Sequence, residues 1–510
     1  SRTSGIGDHL SRVTRGNGTF VAVGNSGAIL TSSDEVMDNN SHVVGIETNQ
    51  ASLSINGSVT LQDNATISSN SGEVSLGNMD LEYGTIRASG GTLNLAGGNV
   101  GPDGFLGAPG QTNVVLNGNL NVTGTFGLVP PASLDLAGNQ IDISGGNLDL
   151  GGTRSLDNII TDEDTTLNVL GSLSVSRTDA GTSTIGNLEF YGSSQSLNVS
   201  DMSLTVAGTA ELDGKNITQG NGTLEFQNSP TLSNSEGTCS DSAYDNNQVG
   251  CTSASQSWTS AGKTSSLSVY SGELIFQSGA SISGSSLDFT SSIFKPSGTV
   301  SLVSSSNFMF DSDSSVVLEG DTTISDDMGS FSWPSLDLNG NTLTLASNIT
   351  DMSVEGAMSI GTGESFNSET SNLSLNSTLT IDDGGTLSSG SGEVQIGEAL
   401  TLNGDLVQGG GILNLISGGS VGTTGELDVK DSELKLGDEL SFAGTLVVNS
   451  GTTWSGLGGT VDLSTGTLES AGGTFNLDAF TIGANSTFRL SGDTEISSAD
   501  DLTLGYLELG

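Results

Sequence analysis

The sequence predicts an all-β chain: a right-handed parallel β-helix (β-solenoid) with a short atypical N-terminal β-hairpin segment. The main observation is a phrase of two apolar residues around one polar residue, followed by a turn residue. The phrase recurs from about residue 50 onward, for example at residues 93–95, 148–150 and 413–415. Each copy is typical of a very short strand with one buried face. Because such a strand cannot bury its apolar side alone, the copies must stack on one another.

Composition is the second observation. The chain has 510 residues, of which 33% are hydrophobic and 5% aromatic, and it contains 74 glycines. A globular chain of this length would divide into several domains with thick cores, whereas the core of a solenoid grows only in length. The regular spacing of the apolar residues argues against disorder.

The spacing of the phrases is the third observation. Three strands per coil give a rung of roughly 21 residues, and about 22 rungs in all. Glycine pairs fall between the phrases, where corners need a residue without a side chain. The rungs are too irregular for a left-handed hexapeptide helix, and the Gly-Gly-x-Gly-x-Asp repeat of calcium-binding RTX rolls is absent. The main alternative, a row of antiparallel sandwich domains, needs longer alternating strands with hairpin connections.

The predicted organisation has two parts. Residues 1–45 form a basic N-terminal segment with a hairpin, which could dock as a strand or act as a cap. Residues 46–510 form the β-helix, with loop insertions near 99–131 and 228–264. Four of the seven prolines lie in the first insertion, and the strand phrase is absent from the second.

The hairpin is predicted within residues 16–34, as strands 20–23 and 28–31 around a Gly-Asn-Ser-Gly turn. This segment resembles a single sialidase/BNR-like propeller repeat. The resemblance implies only a local hairpin, because one hairpin cannot form a propeller.

The strand phrase with its glycine pairs, as in residues 91–98 and 144–152, resembles the repeats of secreted bacterial parallel β-helix proteins. Autotransporter passenger domains and haemagglutinin-type adhesins are examples. The resemblance covers most of the chain. It implies a parallel β-helix and is far less specific for function.

Charge restricts the partners. The chain has 58 acidic and 12 basic residues, for a net charge of -46. We therefore expect no nucleic-acid partner, because phosphate binding needs cationic grooves. No apolar run reaches the ~18 residues of a membrane span, so no direct membrane insertion is expected. No cofactor is predicted; the acidity is compatible with calcium, and its simpler interpretation is that it keeps the chain soluble.

Cys239 and Cys251 are the only two cysteines. We predict a disulfide between them, which fits an oxidising compartment and an extracellular or cell-surface location. The alternative is a pair of free thiols.

No catalytic residues are predicted, and we expect the chain not to be an enzyme. The acidic pairs at 326–327, 382–383 and 500–501 stand at strand ends, where Asp is a routine turn residue. Both histidines, His9 and His42, lie in the N-terminal segment, so the commonest general base is absent from the coils.

The predicted function is that of an extracellular structural rod, which assembles head-to-tail with copies of itself into a filament or surface fibre. An uncapped β-helix presents unpaired strand edges at its ends, and a head-to-tail contact generates open filaments. We expect residues 1–45 to dock on a neighbouring subunit as an added strand or hairpin; the alternative is a cap in cis or a disordered tail. The predicted interface consists of Arg2, Arg12, Arg15, Phe20, Val21, Val23, Ile29, Leu30, Leu504, Tyr506, Leu507 and Leu509.

Two other function classes are compatible with the fold. A β-helical adhesin would bind a surface or glycan as a monomer, with the two insertions on one side. A polysaccharide lyase or hydrolase would need carboxylates from several rungs converging in a groove. The scarcity of cations disfavours the enzyme, because an acidic glycan would need them for binding.

Overall fold

The computed structural model describes most of the chain, and every regular element in the described residues is a β-strand. Parallel strands stack in about 19 coils, which confirms the predicted β-solenoid; its right-handedness stays a prediction. The coils are fewer than the roughly 22 expected from a constant rung. One reason is that the step from Leu232 to its paired residue Ile282 in the adjacent strand uses far more sequence than an ordinary rung. The described residues are 10–16, 19–24, 29–33, 45–48, 52–61, 65–108, 111–129, 132–137, 139–143, 146–178, 181–200, 202–212, 214–233, 237–239, 258–260, 265–303, 307–326, 329–456, 458–478, 480–498 and 504–510.

The chain forms two compact units, Ser1–Asn228 and Ser229–Gly510. The boundary differs from the predicted division at 45/46 and lies where the strand phrase stops, at the start of the interval 228–264. The first strand of the parallel coils does begin near residue 45, as Gly45–Thr48.

The first unit begins with an antiparallel sheet of β1 (Leu10–Gly16), β2 (Thr19–Gly24) and β3 (Ile29–Ser33). The last two are the predicted hairpin, and β1 is a third strand that the sequence did not predict. Four parallel stacks follow, each a set of strands paired in sequence from coil to coil.

Stack one contains β4 (Gly45–Thr48), β7 (Thr66–Ser69), β10 (Thr85–Ala88), β13 (Phe105–Ala108), β16 (Thr125–Leu128), β19 (Asn147–Ser155), β21 (Thr166–Ser176), β23 (Asn187–Ser200) and β25 (Asn216–Gln219). Stack two contains β5 (Leu53–Ile55), β8 (Glu73–Leu76), β11 (Gly90–Leu95), β14 (Gln111–Leu116) and β17 (Ser133–Asp135). Stack three contains β6 (Val59–Leu61), β9 (Met79–Leu81), β12 (Gly98–Val100), β15 (Leu120–Val122), β18 (Ile141–Ile143) and β20 (Ile159–Thr161). Stack four contains β22 (Thr182–Ile185), β24 (Ser203–Val206) and β26 (Thr223–Phe226).

The second unit has six parallel stacks. Stack five contains β30 (Ser266–Tyr270), β33 (Ser286–Thr290) and β36 (Asn307–Phe310). Stack six contains β31 (Glu273–Phe276), β34 (Ile293–Pro296), β37 (Ser315–Val317) and β40 (Leu336–Asp337). Stack seven contains β27 (Thr231–Ser233), β32 (Ala280–Ser283), β35 (Gly298–Val303), β38 (Thr322–Asp326), β41 (Thr342–Leu345), β44 (Ser365–Asn367), β47 (Thr386–Ser389), β50 (Asp405–Gln408), β53 (Glu426–Asp428), β56 (Thr445–Val448), β59 (Thr467–Ser470), β62 (Thr487–Leu490) and β64 (Tyr506–Leu509).

Stack eight contains β39 (Ser330–Trp333), β42 (Asp351–Val354), β45 (Asn372–Leu375), β48 (Glu393–Ile396), β51 (Ile412–Leu415), β54 (Glu433–Leu436) and β57 (Thr453–Gly456). Stack nine contains β43 (Met358–Ile360), β46 (Leu379–Ile381), β49 (Leu400–Leu402), β52 (Gly419–Val421), β55 (Leu440–Phe442), β58 (Val461–Leu463) and β61 (Phe480–Ile482). Stack ten contains β60 (Gly473–Asn476) and β63 (Thr494–Ser497). Outside the stacks, β28 (Gly237–Cys239) pairs antiparallel with β29 (Trp258–Ser260).

The strands alternate between a buried and a part-exposed side, as the phrase predicts. In β48, Val394 and Ile396 are buried, whereas the intervening Gln395 is part-exposed. Val394 pairs with Leu413 of the next coil, and Leu413 pairs in turn with Leu434 of the coil after it. The core is therefore a column of apolar side chains from successive coils, because side chains one coil apart share a face of the sheet.

Buried polar side chains connect successive coils at the corners. The Ser432 hydroxyl donates to the Gln408 carbonyl at 2.8 Å, and the Thr452 hydroxyl donates to the Val429 carbonyl at 3.0 Å. The Gln408 amide in turn donates to the Gly392 carbonyl at 2.8 Å. Main-chain carbonyls that turn away from the ladder at a corner are satisfied in this way.

The expected loop insertion near 99–131 needs correction. Strands β12 to β16 run through this interval in register with their neighbours, and Pro102 lies in the turn between β12 and β13. In this connection Pro102 removes no ladder hydrogen bond. Near 228–264 the described residues include the antiparallel pair of β28 and β29, which belongs to none of the stacks.

Candidate assembly site

The inward face of stack seven changes at its last strand. Leu406, Leu446 and Phe488 occupy inward positions in β50, β56 and β62, and all are fully buried. Leu507 of β64 pairs with Phe488, yet 48% of its surface is exposed. The earlier residues are covered by a coil on each side, whereas Leu507 is covered on one side only among the described residues.

The last strand also has an open edge. β64 pairs with β62, and no other strand in the described part of the chain pairs with it. Tyr506 and Leu509 are 60% and 73% exposed, and Leu504, just before the strand, is part-buried. Unpaired backbone groups beside exposed apolar side chains form a template for a further strand. The structure thus brings the four predicted C-terminal interface residues together on one uncovered coil.

Charged side chains form ion pairs between the last strands of the sheet. Arg489 lies between two acids: its Nη1 is 2.5 Å from Glu469 Oε1, and its Nε is 3.4 Å from Glu508 Oε2. The hydrogen bond that Arg489 donates to Glu469 is the main cause that raises the pKa of the guanidinium. These side chains line a groove of about 320 Å³ beside the strand. Because the pairs are exposed, they contribute little stability and leave the apolar surface as the main feature of this end.

Acidic residues are crowded on the same sheet, around Glu426. Burial raises the pKa of the Glu426 carboxyl, and the charges of Asp405 and Asp428 raise it further. A carboxyl with a raised pKa in the folded state destabilises the fold while it is ionised. This cost decreases as the pH falls through the raised pKa and is gone below the ordinary pKa of the unfolded chain.

We expect Glu426→Gln to stabilise the second unit at pH 7 by a few tenths of a kcal/mol, a value kept small by solvent screening. The gain should disappear near pH 4, where the wild-type carboxyl is protonated. Urea unfolding midpoints at both pH values measure it. Glu398→Gln neutralises an exposed carboxylate that accepts the Ser377 hydroxyl, so it controls for the loss of one charge and should give no gain. An equal gain at both pH values would contradict the prediction.

The N-terminal interface residues other than Arg2 lie in the antiparallel sheet β1–β3. The outer edge of β1 has no partner strand in the described residues, and β3 lies beside β4 of the parallel coils without pairing with it. The register places Arg15 opposite Phe20 and Val23 opposite Ile29. Arg2 lies outside the described residues. Strand β1 contains Arg12 and Arg15, β2 contains Phe20, Val21 and Val23, and β3 contains Ile29 and Leu30.

The predicted disulfide stays a prediction. Cys239 is the last residue of β28, opposite Trp258 of β29, and Cys251 lies outside the described residues.

The described residues contain no group of three or more His, Cys, Asp or Glu side chains arranged to hold a metal ion. Asp382 and Asp383 are exposed at a turn, where the Gly385 amide donates to the Asp382 carbonyl at 2.8 Å. Asp326 ends β38, and residues 327, 500 and 501 lie outside the described residues. Within the described parts, no helix is present that could cross a membrane.

No model of a protein family, no curated protein and no solved structure matches this chain. The functional proposal therefore depends on the geometry of the chain itself.

Proposed function

We propose that the chain is a structural β-solenoid that joins end to end with further copies of itself, outside the cell. The observation that supports this proposal is the exposed apolar side of β64. Leu507 is 48% exposed at a position where the preceding strands place fully buried apolar residues. The surface best suited to cover it is another β-strand edge with apolar side chains.

The occupant we propose is the sheet β1–β3 of a second copy. The outer edge of its strand β1 has no strand partner among the described residues, whereas β3 lies beside β4 of its own chain. The sheet carries Arg12 and Arg15, whereas β64 carries Glu508 and the chain as a whole has a net charge of -46. Opposite charges favour this contact over one between two C-terminal coils. A contact between two different surfaces can repeat from copy to copy, and it forms an open filament when its rotation does not close a ring; a filament is the product we propose.

The strength of the contact follows from the apolar surface. Complete burial of one exposed leucine contributes about 1.5–3 kcal/mol. Since Leu507 and Leu509 are already partly covered, we assign about 2 kcal/mol to the pair, which corresponds to about a 30-fold change in the association constant.

The double variant Leu507→Lys, Leu509→Lys is therefore expected to weaken association by about 30-fold or more. Sedimentation velocity and negative-stain microscopy over a range of concentrations measure it. Met309→Lys in β36 is the matched control, because Met309 is 47% exposed and lies outside the proposed interface. Equal assembly of the double variant and the control would contradict the proposal.

Deletion of residues 1–45 tests the other side of the contact. The deletion should abolish filaments and leave the β-sheet circular dichroism of the coils unchanged. Added salt should weaken assembly of the intact chain, because it screens the attraction between opposite charges at the contact. Filaments that persist after the deletion would exclude the proposed docking. An intact chain that is monomeric at every concentration would contradict self-assembly altogether.

The proposed location outside the cell is supported by the two cysteines. Alkylation of the protein from its source, without prior reduction, should leave Cys239 and Cys251 unmodified. Two alkylated thiols would remove this support.

A further inference from the structure

Two successive coils of the first unit follow different paths where stack two ends. The coil that contains β17 leads from Leu128 to Ile141, and the next coil leads from Leu150 to Ile159 through a shorter stretch of sequence. Yet the ends of the two paths are paired residues in adjacent strands. The shorter path cannot follow the longer one, so in the described residues the second coil places no strand beside β17.

A cleft of about 460 Å³ opens at this step. Leu134 and Leu136 line it and are part-exposed, whereas Val114, the residue paired with Leu134 in the preceding coil, is buried. The volume lies within the range of ligand-binding clefts. The cleft thus has an apolar wall that the fold itself leaves uncovered.

Strand edges without a pairing strand lie beside this cleft. Among the strands that the structure describes, β17 pairs only with β14, and residues 152–155 of β19 pair only with β21. No backbone hydrogen bond in the described residues joins β17 to residues 152–155. An extended segment that binds here can pair through its own backbone, as in β-strand addition.

Arg154 also lines the cleft. Its Nη1 donates to the Ala132 carbonyl at 2.7 Å, while Nε and Nη2 are buried without a hydrogen-bond partner. The paired positions in the next two strands are the buried Val175 and Val199, so the guanidinium occupies an apolar column. Burial lowers the pKa of Arg154. A cation in such a place is stabilised chiefly by an anion with matching hydrogen bonds.

The carboxylates that line the cleft do not supply this anion. Asp135 Oδ1 accepts the Ala137 amide at 2.9 Å, and Asp157 Oδ1 accepts the Thr178 amide at 2.8 Å. Neither carboxylate forms an ion pair with Arg154 among the described residues.

We propose that this cleft binds an extended peptide segment that carries an acidic residue between two apolar ones. Its carboxylate accepts hydrogen bonds from Nε and Nη2 of Arg154, one to each oxygen. This bidentate geometry suits the planar guanidinium. Its apolar side chains pack on Leu134 and Leu136, and its backbone pairs with the open edge of β17. Nε and Nη2 are shielded from water, so the side chains that cover them move aside when the segment binds.

A peptide is favoured over a small free anion because the cleft offers strand edges and an apolar wall as well as a cation. The probe is a blocked pentapeptide with the sequence of residues 133–137, Ser-Leu-Asp-Leu-Ala, titrated calorimetrically into the full chain. A second peptide with Asn in place of Asp tests the charge. We expect the Asp peptide to bind at least about tenfold more tightly, because it forms the charge-assisted pair.

Arg154→Lys keeps the positive charge but removes the planar pair of N–H donors that binds a carboxylate bidentately. It should weaken binding of the Asp peptide about tenfold. Arg177→Lys is the matched control: Arg177 donates to the Leu156 carbonyl at 3.4 Å in the following coil and should leave binding unchanged. Circular dichroism verifies the fold of both variants. Three results would overturn the proposal: binding of neither peptide, equal binding of both, or competition by acetate at the same concentration as the Asp peptide.

Discussion

Leu406→Asn should destabilise the second unit by about 3–5 kcal/mol, because it removes a buried apolar side chain and places an amide without a partner in the core. Leu406 is fully buried in β50, between Leu387 and Leu427 of the adjacent strands, which are fully buried too. The column offers no polar group at this position, so the amide cannot recover its hydrogen bonds with water. The urea unfolding midpoint of the full chain, followed by circular dichroism, measures the loss.

The adjacent residue supplies the control. Val407 has the opposite orientation in the same strand and is part-exposed. Val407→Asn should therefore cost less than about 1 kcal/mol, as surface substitutions usually do. Similar midpoints for the two variants would contradict the inward orientation of the column.

Trp333→Ala is the second large effect we expect, with a loss of about 3–5 kcal/mol. Trp333 has no exposed surface, ends β39, and pairs with the buried Val354 of β42. Its ring centroid is 5.4 Å from that of Phe331. Removal of the indole leaves a cavity that short strands on a fixed ladder cannot close. The unfolding midpoint is followed by circular dichroism, because the substitution removes a fluorophore.

Trp333→Phe separates packing from polarity. The indole Nε1 is buried without a hydrogen-bond partner, so its removal costs no hydrogen bond. Phenylalanine fills most of the space, and we expect a loss below about 1.5 kcal/mol. A loss as large as that of the alanine variant would mean that packing is not the main contribution of Trp333.

The strand phrase predicts which side chains face inward, and it does so well. Leu93, Leu95, Leu148 and Leu150 are all buried as their phrases imply. Leu134 stands in the same phrase and is part-exposed, because the next coil takes a shorter path. Periodicity along one strand contains no information on how far away the neighbouring coil lies.

The glycine pairs are a less reliable signal. Gly152 was expected at a corner, yet it lies inside β19, with a φ of 76° at a shift of the register. As a result β19, β21 and β23 are 9, 11 and 14 residues long, whereas the phrase predicts strands of three or four. A glycine permits a corner or a bulge, and the packing of the adjacent coils selects between them.

The candidate assembly site was predictable at one end and incompletely at the other. The apolar phrase identifies Leu507 and Leu509 directly. Strand β1 was missed because two arginines interrupt its short apolar pattern. The cleft at Arg154 has no sequence signal at all, since it arises from the unequal lengths of two connections.

A solenoid of similar coils can change its length in evolution by whole coils. Coils of unequal length pair in the same register, as those joining Val394, Leu413 and Leu434 do, since the extra residues are accommodated at corners. Each coil presents nearly the same apolar column to both neighbours, so whole coils are interchangeable. Recombination between similar coding segments would then lengthen or shorten the protein by discrete steps, without a new core having to evolve.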